Sequence, residues 1–207
     1  MVILLSFLAA ARCPRMWKHD VSKAFRRCPI AVRHLDISWV VFMASECVWA
    51  SQHLGMPFGA TSAVYAWHRL GNLLAWVILT TARAPLGRYV DDFFGASVSG
   101  IRWSGGKLLD VLGLALGLPM DPGKSVDAAV LMDVLGIEVD LNWARKLVST
   151  CVSVDKAHRW ASELDKILEE AVCSPELAST MAGRLSLAVT ATWDRVGRVF
   201  VKPVLPM

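Results

Sequence analysis

The sequence predicts an α+β domain, a mostly antiparallel sheet with helices on one face, followed by a C-terminal helical hairpin. Three observations predict it. Short β-branched and aromatic runs recur at Ile37 to Met43, Gly87 to Val90, Phe93 to Val98 and Val134 to Val139, as strands require. Longer Ala- and Leu-rich stretches lie between them, and strands interleaved with helices in this way form a sheet covered on one face. From Asp155 onward the periodicity becomes helical throughout.

Each element has its own signal. Ala60 to Ala82, rich in Ala, Leu and Trp and bracketed by Gly59 and Pro85, reads as a long, mostly buried helix. Gly105 to Leu116 reads as a second helix, stopped by Gly117 and Pro119. Ala157, Trp160, Leu164, Ile167, Leu168 and Ala171 then fall on one helical stripe. Ser174 and Pro175 supply an N-cap and a proline at the first position of the last helix, whose stripe is Leu177, Met181, Leu185 and Ala188. The expected division is a sheet domain over 1–150 and a helical segment over 151–207.

With 207 residues, the chain is long enough to bury a core without disulfides. Its 55% hydrophobic content and mean hydropathy of +0.44 call for a membrane test. The longest run without Asp, Glu, Lys or Arg, Cys47 to His68, is broken by Gln52, His53, Gly55, Pro57 and Gly59, unlike a spanning helix. Met1 to Ala11 is apolar but lacks the basic start of a secretory signal. The expectation is an intracellular chain, cytoplasmic or nuclear, with no membrane partner. Cys13, Cys28, Cys47, Cys151 and Cys173 show neither a C-x-x-C pair nor zinc spacing, and are expected to be free, buried thiols. Net charge is only +4, yet residues 1–36 carry seven basic and two acidic side chains, a face suited to phosphates as well as to plain solvent.

The most informative tetrapeptide is Tyr89-Val90-Asp91-Asp92, flanked by strand-like residues. Adjacent carboxylates at a hairpin tip repel each other, and water alone commonly satisfies such a pair. A third acid, Asp20, sits at another apparent strand end. Carboxylates from two neighbouring strands are suited to hold hard divalent cations, which take oxygen ligands and polarise phosphates. Gly117 to Ser125 ends in Gly-Lys-Ser, but five residues separate its glycines where a phosphate-binding P-loop needs four, and Pro122 has no N–H to offer. The histidines show no metalloprotease spacing. Trp103 and Trp143 are candidate stacking platforms for a base.

In these motifs the chain resembles a reverse transcriptase, an RNA-directed DNA polymerase. Asp20 to Pro29 is similar to the first palm motif, Met56 to Ala60 with Ser62-Ala63 to the second, and Tyr89 to Asp92 to the YxDD box. Leu116 to Pro119 through Lys124-Ser125 is similar to the fourth, and Leu135 to Asp140 to the fifth. The segments Leu177 to Leu187 and Gly197 to Phe200 resemble the segment after the palm in retrotransposons of the DIRS type. The resemblance implies a polymerase palm followed by a thumb-like or connection segment. It implies two Mg2+ (or Mn2+) ions held by Asp20 and Asp91, with Asp92 close by, and Lys124 placed to neutralise or protonate pyrophosphate. It further implies nucleotide contacts at Ser22, Lys23, Ala24, Phe25, Phe58, Gly59 and Tyr89, the Phe25 ring excluding a 2′-hydroxyl. Its partners are a dNTP and an RNA or DNA template with primer. Only 19 residues precede Asp20, so the fingers subdomain is expected to be missing, as in a truncated copy. The rival is a catalytically inactive, retroelement-derived nucleic-acid-binding or structural remnant.

Overall fold

Strand β1 (Pro14–Asp20) is an inner strand of a four-stranded antiparallel sheet in the computed structural model, whose described residues are 14–98, 104–142, 144–145 and 147–191. The strand order is β4 (Leu86–Tyr89), β5 (Asp92–Val98), β1, β6 (Val126–Ala129). The inner position explains why Met16, Trp17, His19 and Asp20 are all buried, on both faces of the strand. Helix α1 (Thr61–Ala82) and helix α2 (Gly105–Ala115) pack against this sheet around Trp17, Val21, Trp67, Leu74, Ile78, Phe93 and Leu109. These belong to a first compact unit, Met1–Ala129; a second is Val130–Met207.

The mixed architecture matches the expected α+β class, while several local expectations are corrected. Helix α1 has the expected bounds, but it is not mostly buried. Ala63, Trp67, Gly71, Leu74 and Ile78 form one buried stripe, and Tyr65, Leu73, Trp76 and Leu79 stand in solvent. Its end is set by Arg83 in the left-handed region (φ 50°), just before Pro85. Helix α2 is capped by Ser104, whose Oγ accepts the Lys107 N–H at 3.2 Å. The strand expected from Ile37 starts at Trp39, after a 3-10 turn (Val32–Ile37), and pairs with a strand that carried no sequence signal. The pair is β2 (Trp39–Ala44) and β3 (Cys47–Gln52), joined at Ser45 and Glu46, both with positive φ.

Beyond that hairpin, Ile30 N–H donates to Leu54 O and Met56 N–H to Cys28 O, both at 2.9 Å. Gly55 makes this approach feasible, because a Cβ there would collide with the Arg26 carbonyl oxygen. Gly55→Ala is therefore expected to push the two segments apart and destabilise the first unit by about 1–3 kcal/mol, read by urea denaturation. An unchanged midpoint would show that the segments yield freely.

In the second unit, β7 (Leu131–Val134), β8 (Ile137–Asn142) and β9 (Leu147–Cys151) form an antiparallel sheet in that order. The single strand expected over Val134 to Val139 is instead a hairpin: Leu135 (φ 54°) and Gly136 (φ 85°) form a two-residue turn between β7 and β8. Helices α3 (Val154–Glu170) and α4 (Pro175–Ala191) come next. Ser174 Oγ caps α4 by accepting the Leu177 N–H, as expected from the Ser-Pro pair. Of the expected α3 stripe only Trp160 is buried, and Leu168 is exposed. Thr150 donates to Ala191 O at 2.6 Å, and Arg184 pairs with Glu163 across the two helices.

Among the described cysteines Cys28 alone is buried; Cys47, Cys151 and Cys173 are exposed free thiols, contrary to the expected burial. No helix among the described residues is long and apolar enough to cross a membrane. Arg12, Cys13, Trp103, Trp143 and Gly197 to Phe200 lie outside the described residues.

Candidate active site

Three acids meet where β1 ends and β5 begins. Asp20, the last residue of β1, pairs directly with Asp92, the first of β5. Residues opposite each other in an antiparallel pair project to the same face, so the register brings these two side chains together. Asp91 lies in the two-residue loop, Val90 and Asp91, that joins β4 to β5, and the Val21 N–H donates to its carbonyl at 3.3 Å.

That loop is held in an unfavourable shape. Val90 has φ 52°, a region that a β-branched residue rarely adopts, at a cost on the order of 1–3 kcal/mol. Its carbonyl accepts two hydrogen bonds, from Trp67 Nε1 at 2.7 Å and from Arg88 Nη1 at 2.5 Å. Arg88 Nη2 reaches on to His68 Nδ1 at 2.9 Å and Asn72 Oδ1 at 2.6 Å on α1. The helix thereby braces the tip that carries Asp91. Sequence reasoning missed this bracing, since nothing in the spacing of Trp67 and Arg88 points to one carbonyl.

The electrostatics come from crowding. Burial pushes the Asp91 carboxyl up, and Asp20 and Asp92 push it further, against the pull of a backbone hydrogen bond and of Lys124. Asp20 is only 5% exposed, yet Lys124 Nζ lies 2.5 Å from its Oδ2. That hydrogen bond and the Asp20 charge raise the Lys124 ammonium above its ordinary value. Lys18 Nζ stands 3.7 Å from Asp92 Oδ1.

Asp121, also missed, builds the loop that delivers Lys124. Its N–H donates to Asp20 O at 2.8 Å, its Oδ1 accepts from Gly123 N–H, and its carbonyl accepts from Lys124 and Ser125 N–H. The Asp-Pro-Gly run is a sequence signal for such a turn.

Of the remaining expected residues, only Phe25 and Phe58 are brought into contact with each other. Phe25 and Phe58 meet edge to face, ring centroids 5.5 Å apart, with Phe58 itself exposed. Gly59 has φ 90° immediately ahead of α1. Ser22 N–H is spent on Pro119 O at 2.9 Å, Lys23 is exposed with φ 55°, and the Ala24 side chain belongs to the core. Tyr89 is exposed at the end of β4. The geometry thus joins Asp20, Asp91, Asp92 and Lys124 in one group and Phe25 with Phe58 in another.

Asp20 and Asp92 both act electrostatically on Asp91, and carboxylate oxygens are the donors hard divalent cations take, but the three carboxylates stand farther apart than a formed ligand set whose donor atoms all lie within 4.8 Å of one another. The Lys124 ammonium already gives Asp20 Oδ2 a cationic partner.

No family model and no curated relative matches the sequence. Among solved structures, the chain is similar to a foamy viral protease-reverse transcriptase in complex with double-stranded DNA, at 15% identity and TM-score 0.60, over 97% of this chain and 32% of that one. A second structure of a foamy viral protease-reverse transcriptase in complex with double-stranded DNA is similar at 12% identity and TM-score 0.52, over 92% of this chain and 40% of that one. The chain spans about a third of the length of the first. The fold of this chain is therefore reverse-transcriptase-like.

Proposed function

We propose that this chain is the palm of an RNA-directed DNA polymerase from a retroelement of the DIRS type, transferring nucleotides from a dNTP to a primer 3′-hydroxyl along an RNA or DNA template. The observation that carries the reading is the pairing of Asp20 with Asp92 across β1 and β5, beside Asp91 on its braced turn. Asp20 and Asp91 would hold two Mg2+ or Mn2+ ions, with Asp92 adjacent. Such ions, when bound, activate the attacking hydroxyl and neutralise charge on the phosphates. Lys124, protonated and only 2.5 Å from Asp20, stands ready to give a proton to the leaving pyrophosphate. Phe25 and Phe58 form an aromatic wall suited to the sugar and base of the incoming nucleotide, with Ser22, Lys23, Ala24, Gly59 and Tyr89 supplying backbone and rim. Residues 151–207 serve as a thumb-like or connection segment after the palm over 1–150.

Primer extension on an RNA template, with Mn2+ or Mg2+ and dNTPs, tests the reading. Extension by the wild type and none by Asp91→Asn supports it; a folded wild type without extension turns the reading to the inactive, nucleic-acid-binding remnant. Where extension occurs, Phe25→Ala is expected to raise ribonucleotide incorporation by roughly ten- to a hundredfold, and Phe25→Tyr to leave it low. Equal discrimination in all three would assign Phe25 to packing alone.

A further inference from the structure

His19 lies next to Asp20 in the chain, yet strand alternation turns its ring toward the opposite side of the sheet. There it is 1% exposed and flanked by two carboxylates from separate elements, Asp110 on α2 and Asp127 on β6. The two ring nitrogens are not equivalent. Nε2 is hydrogen-bonded to Asp127 Oδ1 at 3.2 Å. Nδ1 lies 3.0 Å from Asp110 Oδ1, close but poorly aligned for a hydrogen bond; burial raises the Asp110 carboxyl, and the histidine draws it down against that rise. One nitrogen of His19 and one oxygen from each aspartate all lie within 4.8 Å of one another.

This is the pattern of a metal-binding histidine, which takes the ion on one nitrogen and donates the other N–H to an orienting carboxylate. Zn–N and Zn–O bonds of about 2.0–2.2 Å at a tetrahedral angle place N and O about 3.3–3.5 Å apart, off the line a hydrogen bond would need. The Nδ1 to Asp110 contact, at 3.0 Å, is a few tenths of an ångström shorter, so the Asp110 carboxylate would draw back slightly to admit an ion. The backbone is fitted to the group as well: a Cβ on Gly106 would come within 2.8 Å of Nε2 and 3.2 Å of Asp127 Oδ1. The mixed nitrogen and oxygen donors favour zinc-class ions, whereas the all-oxygen group at Asp20, Asp91 and Asp92 favours Mg2+ or Mn2+.

We propose that His19 Nδ1 and Asp110 ligate a Zn2+ ion, with water completing the shell, so that the ion joins β1 to α2 on the far side of β1 from Asp20, while Asp127 on β6 orients the ring through Nε2. The site is structural, and it is independent of nucleotide transfer. Its ligands come from positions 19, 110 and 127, a spacing that no sequence motif announces.

The test is Zn2+ and Co2+ titration of the chelator-stripped protein, followed by calorimetry, Co2+ absorption and thermal melts. The wild type and Asp91→Asn are expected to bind one Zn2+ and to melt higher with it. Asp110→Asn and Asp127→Asn are each expected to bind it about 10–100-fold more weakly. Asp127 is exposed and Asp110 half-buried at the surface, and Asn keeps the shape of Asp, so these variants should fold, and circular dichroism checks that they do. Absent Zn2+ binding, binding undiminished in both Asp variants, or a Co2+ thiolate charge-transfer band assigning the ion to the exposed cysteines would each overturn the proposal.

Discussion

Trp67→Ala is expected to destabilise the first unit by about 3–5 kcal/mol, the cost of removing a large, fully buried aromatic side chain. Trp67 is 0% exposed, at the centre of the core shared by α1 and the sheet, and its indole N–H braces the strained Val90 carbonyl. Net stabilities are only about 5–15 kcal/mol, so the loss is a large fraction of the whole. Trp67→Phe keeps most of the packing and loses the hydrogen bond alone, at about 1 kcal/mol, because Arg88 still reaches the same carbonyl. Trp76 on the same helix is 63% exposed, and Trp76→Ala should stay within about 0.5 kcal/mol of wild type. Equilibrium urea unfolding of the three variants measures the contrast. Similar losses for Trp67→Ala and Trp76→Ala would show that the buried stripe of α1 does not carry the unit.

That contrast also marks what the sequence made legible. The bounds of α1 could be read from Gly59 and Pro85, because breakers act locally; which of its apolar residues are buried depends on a partner sheet that the sequence does not display. Hairpins were the weakest point. Ser45 and Glu46 both adopt positive φ without Gly, Asn or Asp, and Leu135-Gly136 hides its turn inside an apolar run, so β3 and the division of β7 from β8 carried no clear signal. The acids of the candidate site were legible because Asp91 and Asp92 are adjacent and Asp20 ends a strand-like run. Their neighbours were not. Trp67, Arg88 and Asp121 act through single backbone carbonyls and amides, and the group of His19, Asp110 and Asp127 exists only through the pairing of β1 with β6 and the packing of α2.

Asp91→Asn is expected to move stability in opposite directions with and without metal. In the metal-free protein, burial and the charges of Asp20 and Asp92 all disfavour an ionised Asp91, so a neutral amide of the same shape should raise the melting temperature. A cation that binds only the folded state adds stability as its concentration rises, about 2.7 kcal/mol at one hundred times its Kd. In wild type, Mn2+ should therefore raise the melting temperature steadily. Removing one carboxylate should weaken the affinity about 10–100-fold and nearly abolish that rise at the same Mn2+ concentration. Asp20→Asn should lose the Mn2+ response as well, but it also leaves the Lys124 ammonium without its carboxylate partner, so its metal-free melting temperature should fall. Melts of the three proteins across a Mn2+ series, with Asp110→Asn as a control outside the acid group, separate these effects. A response that persists in both Asp91→Asn and Asp20→Asn would place the Mn2+ elsewhere and remove the physical basis for nucleotidyl transfer at this turn.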